Sequence, residues 1–298
     1  MLNRWIGIAC GTFWLLANVA ILWRDVLPHW LAGEPPPNEA LLLTPGEKRF
    51  AQVGIYDDEG RAVGTSWTAS MRVGIGGTVA VKTTTVLQPI ALPAAGGLLT
   101  PRVRIEIGLT YRAGEASVDS LDFKMLGLGV PVSLEGEAMP SGEFPFTWRV
   151  GEYRGKTVLD SRVPVALGDV IRPFDRLPNL YVGRTWRLEL LDPLSQILPQ
   201  LKQVGLSLEP ILVQVTRIET ILHQGQPVDA FVVEGGGATA WVAPDGRVLR
   251  QEVVLPLLGK LVLLDEPYDE DALRQGAAST FYRDRASQPA PDEESFVE

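Results

Sequence analysis

Cysteine, histidine and surplus positive charge are what this sequence has least of. Its 298 residues include one Cys and two His. Cys10 has no partner for an internal disulfide, and one Cys with two His cannot build a Cys/His zinc site. Lys and Arg number 27 against 36 Asp and Glu, a formal net charge of −9, which argues against general binding to nucleic-acid backbones. Catalytic signatures are missing too. No Gly-x-Ser-x-Gly elbow accompanies either His, so a Ser-His-Asp triad has no support. His29, beside Pro28 and Trp30, reads as an interfacial residue, and His223, in Leu222-His223-Gln224-Gly225, as a solvated turn residue rather than a base. The glycine clusters Gly74-Ile75-Gly76-Gly77 and Gly235-Gly236-Gly237 carry no Gly-Lys-Ser/Thr ending and no following helix, so neither reads as a phosphate loop. Asp57-Asp58-Glu59 is an acidic turn without the wider ligand set a cation needs. The expectation is a protein without catalytic residues, cofactor or metal.

Apolar residues make up 46% of the chain, enough for a core. Nineteen residues from Trp5 to Trp23 contain no charge, and Asn18 is their one strongly polar member. As a helix they would span roughly 28 Å, close to a bilayer's hydrocarbon thickness. Trp5 and Trp23 bracket the run with Trp14 inside it, and Arg4 and Arg24 flank it. The nearest small-x-small site lies inside the apolar stretch, so a retained anchor is preferred to a cleaved signal peptide. The short N-terminal stub favours a cytoplasmic N-terminus with the following domain periplasmic or extracellular. Residues 1–24 are thus the expected anchor, 25–47 a Pro-rich linker, 48–285 a β-rich domain and 286–298 an acidic disordered tail.

The β signal is period-2 alternation. Val103, Ile105, Ile107, Leu109 and Tyr111 alternate with Arg102, Arg104, Glu106, Gly108 and Thr110, which puts one face on a core and the other in water. Further strands are predicted at Phe50–Tyr56, Ala62–Val73, Thr78–Leu87, Val118–Leu126, Val132–Glu137, Phe146–Tyr153, Thr185–Leu190, Ile211–Ile221, Val228–Val233, Thr239–Val242, Val248–Leu255 and Lys260–Leu264. Gly-bearing turns at 57–60, 224–227 and 244–246 join several as hairpins. Helical segments are few: Leu194–Val204, interrupted by Pro199, then Val165–Leu177 and Asp269–Tyr282. The predicted fold is mainly β: a single transmembrane helix, then a curved antiparallel sheet or half-barrel with a few short helices, with a β-sandwich as the alternative.

Two stretches carry a resemblance. One is Gly54-Ile55-Tyr56-Asp57-Asp58-Glu59-Gly60-Arg61-Ala62-Val63-Gly64. The other joins Tyr181-Val182-Gly183-Arg184-Thr185-Trp186 and Asp192-Pro193-Leu194-Ser195 to residues Thr239 to Glu252, TAWVAPDGRVLRQE. Together they resemble the β-rich region preceding the catalytic domain of some bacterial transglutaminase-like membrane proteins, and related envelope domains with curved sheets. Such an enzyme needs Cys, His and Asp, and the one Cys here is Cys10, so the resemblance implies a non-catalytic envelope domain.

Trp67, Trp148, Trp186 and Trp241 fall on predicted strands. Core packing is their default role, and lining for an apolar ligand is the functional alternative. Residues 125–132 and 253–264 hold more apolar side chains than one sheet face needs, as would a ligand lining, a partner interface or burial on two faces. The expected function is a membrane-anchored, non-catalytic envelope protein that binds a protein partner or an apolar, lipid-like ligand, and no nucleic acid. The alternatives are an accessory subunit of a membrane transport or export complex, with Gly7 and Gly11 as a helix-packing pair, and a carboxylate-based hydrolase.

Overall fold

A computed structural model describes residues 2–22, 32–37, 43–73, 77–89, 91–92, 98–99, 102–111, 118–127, 130–141, 143–160, 174, 176–188, 211–255 and 259–274, with α1 side chains from Cys10 onward. Among them are one helix, α1 (Leu2–Ile21), and sixteen strands. These are β1 (Lys48–Asp57), β2 (Ala62–Val73), β3 (Thr78–Leu87), β4 (Ala91–Leu92), β5 (Leu98–Leu99), β6 (Val103–Tyr111), β7 (Val118–Leu126) and β8 (Val132–Glu137). Then come β9 (Glu143–Val150), β10 (Tyr153–Asp160), β11 (Thr185–Leu188), β12 (Ile211–His223), β13 (Gln226–Gly235), β14 (Ala238–Val242), β15 (Val248–Leu255) and β16 (Gly259–Glu266). A helical turn follows at 270–274.

The chain divides into two compact units, one of residues 1–42 with 162–263, the other of residues 43–161 with 264–298. In the second unit the strand order is β10-β9-β8-β7-β6-β3-β2-β1, with β4 and β5 paired separately; in the first it is β16-β15-β14-β13-β12-β11. Almost every neighbour in space is a neighbour in sequence, and the ladders within each unit are antiparallel. Short turns allow only that pairing. The mainly β, antiparallel expectation is therefore met.

Differences are local. One predicted strand, Phe146–Tyr153, is two: the chain reverses at Gly151-Glu152, with Gly151 at φ +60°, and Val150 pairs with Tyr153. The short pair β4–β5 carried no alternation to predict it. The predicted helix Leu194–Val204 lies outside the described residues, as do most of Val165–Leu177 and of Asp269–Tyr282, the acidic tail, and Pro28 to Leu31. Parts of the expected linker are docked. Gly33 bridges to Trp186 in the first unit, and Leu43, 1% exposed, packs in the second, where its carbonyl accepts from Arg72 at 2.9 Å.

Helix α1 matches the helical reading of the apolar run. Among the described residues, though, no helix is long and apolar enough to cross a membrane. Phe13, Trp14, Leu15, Leu16, Val19, Ile21 and Leu22 are all at least half exposed. The amide nitrogen of Asn18 donates to the Trp14 carbonyl at 2.8 Å, a bond within its own helix.

The cores follow from register. In the second unit one row of cross-strand partners reads Ala51–Thr68–Thr83–Ile107–Phe123–Leu134–Trp148–Gly155. Alternation puts this row on the apolar face with Val79, Leu109, Leu121 and Phe146, all buried. Gly155 ends the row because Trp148 fills its place: a Cβ there would lie 2.4 Å from the indole. Where hydroxyls replace hydrocarbon they pair with each other, Ser66 with Thr85 at 2.8 Å and Thr68 with Thr83 at 3.2 Å. In the first unit Val213, Val215, Ala230, Val232, Val233, Ala240, Val242 and Leu261 are fully buried. Adjacent Val232 and Val233 point to opposite faces, so β13 is covered on both sides there. Among the described side chains of 253–264, burial alternates, with Val253, Leu261 and Leu263 buried and Val254 64% exposed, while residues 256–258 lie outside the described residues.

Candidate functional site

The opposite face of the second unit's sheet is polar, and one of its rows is chemically graded. It reads Gln52–Trp67–Thr84–Glu106–Lys124–Ser133–Arg149–Arg154 from β1 to β10. At the β1 end the groups are buried and mutually bonded. The Trp67 indole donates to Gln52 Oε1 at 2.9 Å, and Gln52 Nε2 donates to Glu266 at 3.1 Å. Tyr56 donates its hydroxyl to Glu266 at 2.6 Å, and the Asp269 amide donates to Gln52 Oε1 at 2.8 Å. That bond to the Glu266 carboxylate, with burial and its negative charge, holds the Tyr56 pKa above its ordinary value. Gly54 lies on the same face and makes room for the carboxylate, since a Cβ would sit 2.1 Å from Glu266 Oε1.

The middle of this face is a groove of about 540 Å³ across β1, β2, β3, β6 and β7. Its floor is low because Ala69, Ala80 and Gly108 stand where larger residues would fill it. Phe50, 50% exposed, and Met71 form an apolar wall, with Lys48, Lys82, Glu106, Asp122 and Lys124 around it. Glu106 is paired with Arg104, which is buried beside it on β6. Asp122 pairs with Lys124 at 3.0 Å, and this bond raises the lysine's pKa, helped by Glu135 and Glu106. The groove's acids are thus tied to cations, an arrangement suited to holding a ligand rather than to delivering a proton. Toward β10 a second cavity of about 470 Å³ is lined by Ser133, Glu135, Thr147, Arg149, Arg154 and Lys156, among others.

The four tryptophans singled out from the sequence have different surroundings. Trp67, 6% exposed, is a hydrogen-bond donor beside Gln52. Trp148 covers Gly155 and contributes to the second cavity. Trp186, 1% exposed, packs in the first unit with the Arg184 guanidinium 6.0 Å from its ring, and Arg184 also lies 6.0 Å from the Tyr181 ring. Trp241 lies opposite Arg250, whose guanidinium is 5.0 Å from its ring. Arg250 and Lys260 both bind Glu252; burial pushes that carboxyl's pKa up, but the two cations outweigh it and hold the value low. Of the anchor residues, Trp14 is exposed on α1, while Arg4, Trp5, Trp23 and Arg24 have side chains outside the described residues.

The acidic turn proved self-contained. Asp57 accepts from the Glu59 and Arg61 amides and binds the Arg61 guanidinium at 2.6 Å. Burial raises its pKa, but these donors prevail and lower it. No cluster of three potential metal ligands occurs among the described residues. Sequence reasoning missed Glu266 and the floor residues, because their meeting depends on register. It also passed over Gly155-Lys156-Thr157, the closing triplet of a phosphate-loop signature, which here runs along β10 rather than into a helix. No family model matches the sequence, no curated protein matches it, and no solved structure matches it.

Proposed function

We propose that the chain is a membrane-anchored binding protein whose second unit holds an amphipathic, lipid-like ligand in the groove on the polar face of its sheet. The observation that carries this reading is the groove itself: about 540 Å³ above Ala69, Ala80 and Gly108, with Phe50 and Met71 on one wall and three lysines around it. That size and mixture suit a ligand with an acyl portion and a polar end. The bare apolar side chains of α1 support anchorage through residues 5–23, with the two units on the outer side of the membrane. The resemblance to non-catalytic envelope domains points the same way.

The test is native mass spectrometry of the full chain purified in detergent, with wild type and Ala80→Trp compared. Retention of an acyl-bearing molecule by the wild type and its loss from the filled-groove variant is the expected result. Equal retention by both would move the ligand elsewhere, and none in either would end the reading. A second reading, an accessory subunit of a membrane complex, draws on the β12–β13 hairpin. Among the described residues, its rungs beyond Val215 on β12 and Phe231 on β13 have no third strand, and Leu222 and Ile218 there are 79% and 56% exposed. Pull-down of wild type against Leu222→Asp would separate the two readings.

A further inference from the structure

We propose that Arg149, Arg154 and Lys156 form a phosphoryl-binding site, which takes the anionic end of the ligand whose apolar part lies in the neighbouring groove. The inference rests on the groove reading and adds to it the chemical class of the ligand.

Three observations carry it. The first is register. Arg149 and Arg154 are directly opposed across β9 and β10, and Lys156 follows on the same face opposite Thr147. Like charges in opposed positions repel. At the hairpin's exposed surface nothing in backbone geometry requires two arginines there. The second is contrast along the same row. Two strands inward, Glu106 and Lys124 are opposed, and each also has a same-strand ion pair, with Arg104 and Asp122. Among the described residues, no ion pair engages Arg149, Arg154 or Lys156. Glu135 is the one carboxylate among the residues that line this cavity. In a chain of net charge −9, three cations against one carboxylate around one cavity are a local reversal of sign.

The third is fit. The cavity, about 470 Å³, adds the hydroxyls of Ser133 and Thr147 to the three cations. Two guanidinium forks match phosphate oxygens bidentately, and Lys156 supplies a point charge. A phosphomonoester, near −2, is the anion best able to reverse the repulsion between all three. The site lies two strands from the groove's β7 wall, about 10 Å, so one phospholipid-sized molecule reaches both.

Calorimetric titration of the full chain in dodecylmaltoside, at 50 and 200 mM salt, tests this with three probes: dioctanoyl phosphatidate, dioctanoylglycerol and inorganic phosphate. Phosphatidate is expected to bind at least tenfold more tightly than dioctanoylglycerol and to weaken as salt rises. The Arg149→Gln/Arg154→Gln double variant is expected to lose tenfold or more for phosphatidate while melting no lower than wild type. Inorganic phosphate binding as tightly as phosphatidate keeps the site, assigns it to free oxyanions and removes the groove from its function. Equal binding of phosphatidate and dioctanoylglycerol, undiminished in the double variant, overturns the phosphoryl site and leaves the groove. No binding by any probe overturns both. A double variant that melts lower makes the arginines structural and also overturns the proposal.

Discussion

Two glutamines are buried among the described residues, one in each unit, and their surroundings are opposite. Gln52, 8% exposed, has both amide atoms engaged: its oxygen accepts from Trp67 and Asp269, and its nitrogen donates to Glu266. Gln251, 1% exposed on β15, has neither its Oε1 nor its Nε2 hydrogen-bonded. It is opposed by Ala240 and flanked by buried Leu249 and Val253. A buried amide with partners fixes geometry, whereas one without them carries its desolvation cost uncompensated. The second unit uses its buried polar groups to tie distant segments together. The first unit tolerates one in an apolar wall.

The sharpest way to break this contrast is Gly54→Val. The new side chain displaces the Glu266 carboxylate and meets Tyr56, whose Cε2 a Cβ would approach to 2.8 Å. A loss of about 3 kcal/mol is expected, read as a lowered urea midpoint. Next, Gln52→Leu orphans the Trp67 indole, the Asp269 amide and one carboxylate oxygen, for a loss of about 2 kcal/mol in the same measurement. Gln251→Leu should change stability with the opposite sign, a gain of about 1 kcal/mol, because an unpaired amide is exchanged for hydrocarbon of similar size. A loss there would mean that the two glutamines are equivalent after all.

The smallest effect is pH-dependent. The Tyr56 pKa is raised above its ordinary 10.0, chiefly by its bond to Glu266. A raised pKa means that the folded protein holds the proton longer than the unfolded chain. The resulting stability is complete below pH 10 and lost as pH rises through the folded value. Tyr56→Phe should therefore flatten the alkaline limb of a stability–pH profile. An unchanged limb would show that Glu266 does not govern this hydroxyl.

How much of this was legible in sequence depends on distance along the chain. Strands β2, β3, β7, β8 and β15 have the boundaries that alternation predicts, because side-chain period is a local property. The second strand of the β9–β10 hairpin was missed because Gly151-Glu152 is a two-residue turn inside an alternating run. Had that turn been recognised, Arg149 and Arg154 would have been opposed on paper, since hairpin register follows from loop length. The groove floor was not accessible in this way: Ala69, Ala80 and Gly108 come from three strands, and only their register makes them neighbours. Trp67 reads as a core residue in sequence, but its indole nitrogen has a specific partner that alternation does not encode. For Glu266 the partner Gln52 is 214 residues away, beyond any local pattern.

That separation has a consequence for synthesis. The second unit consists of residues 43–161 and 264–298, with most of the first unit's chain between them. Its eight-strand meander can pair as it emerges, since each hairpin is local. The Gln52–Tyr56–Glu266 closure must wait until more than two hundred further residues have been made. Until then β1 carries a Gln and a Tyr without their carboxylate. A nascent chain arrested before residue 264 is thus expected to be protease-sensitive at β1 and resistant at the β6–β9 hairpins. The order of folding is written into which residues of the second unit are made last.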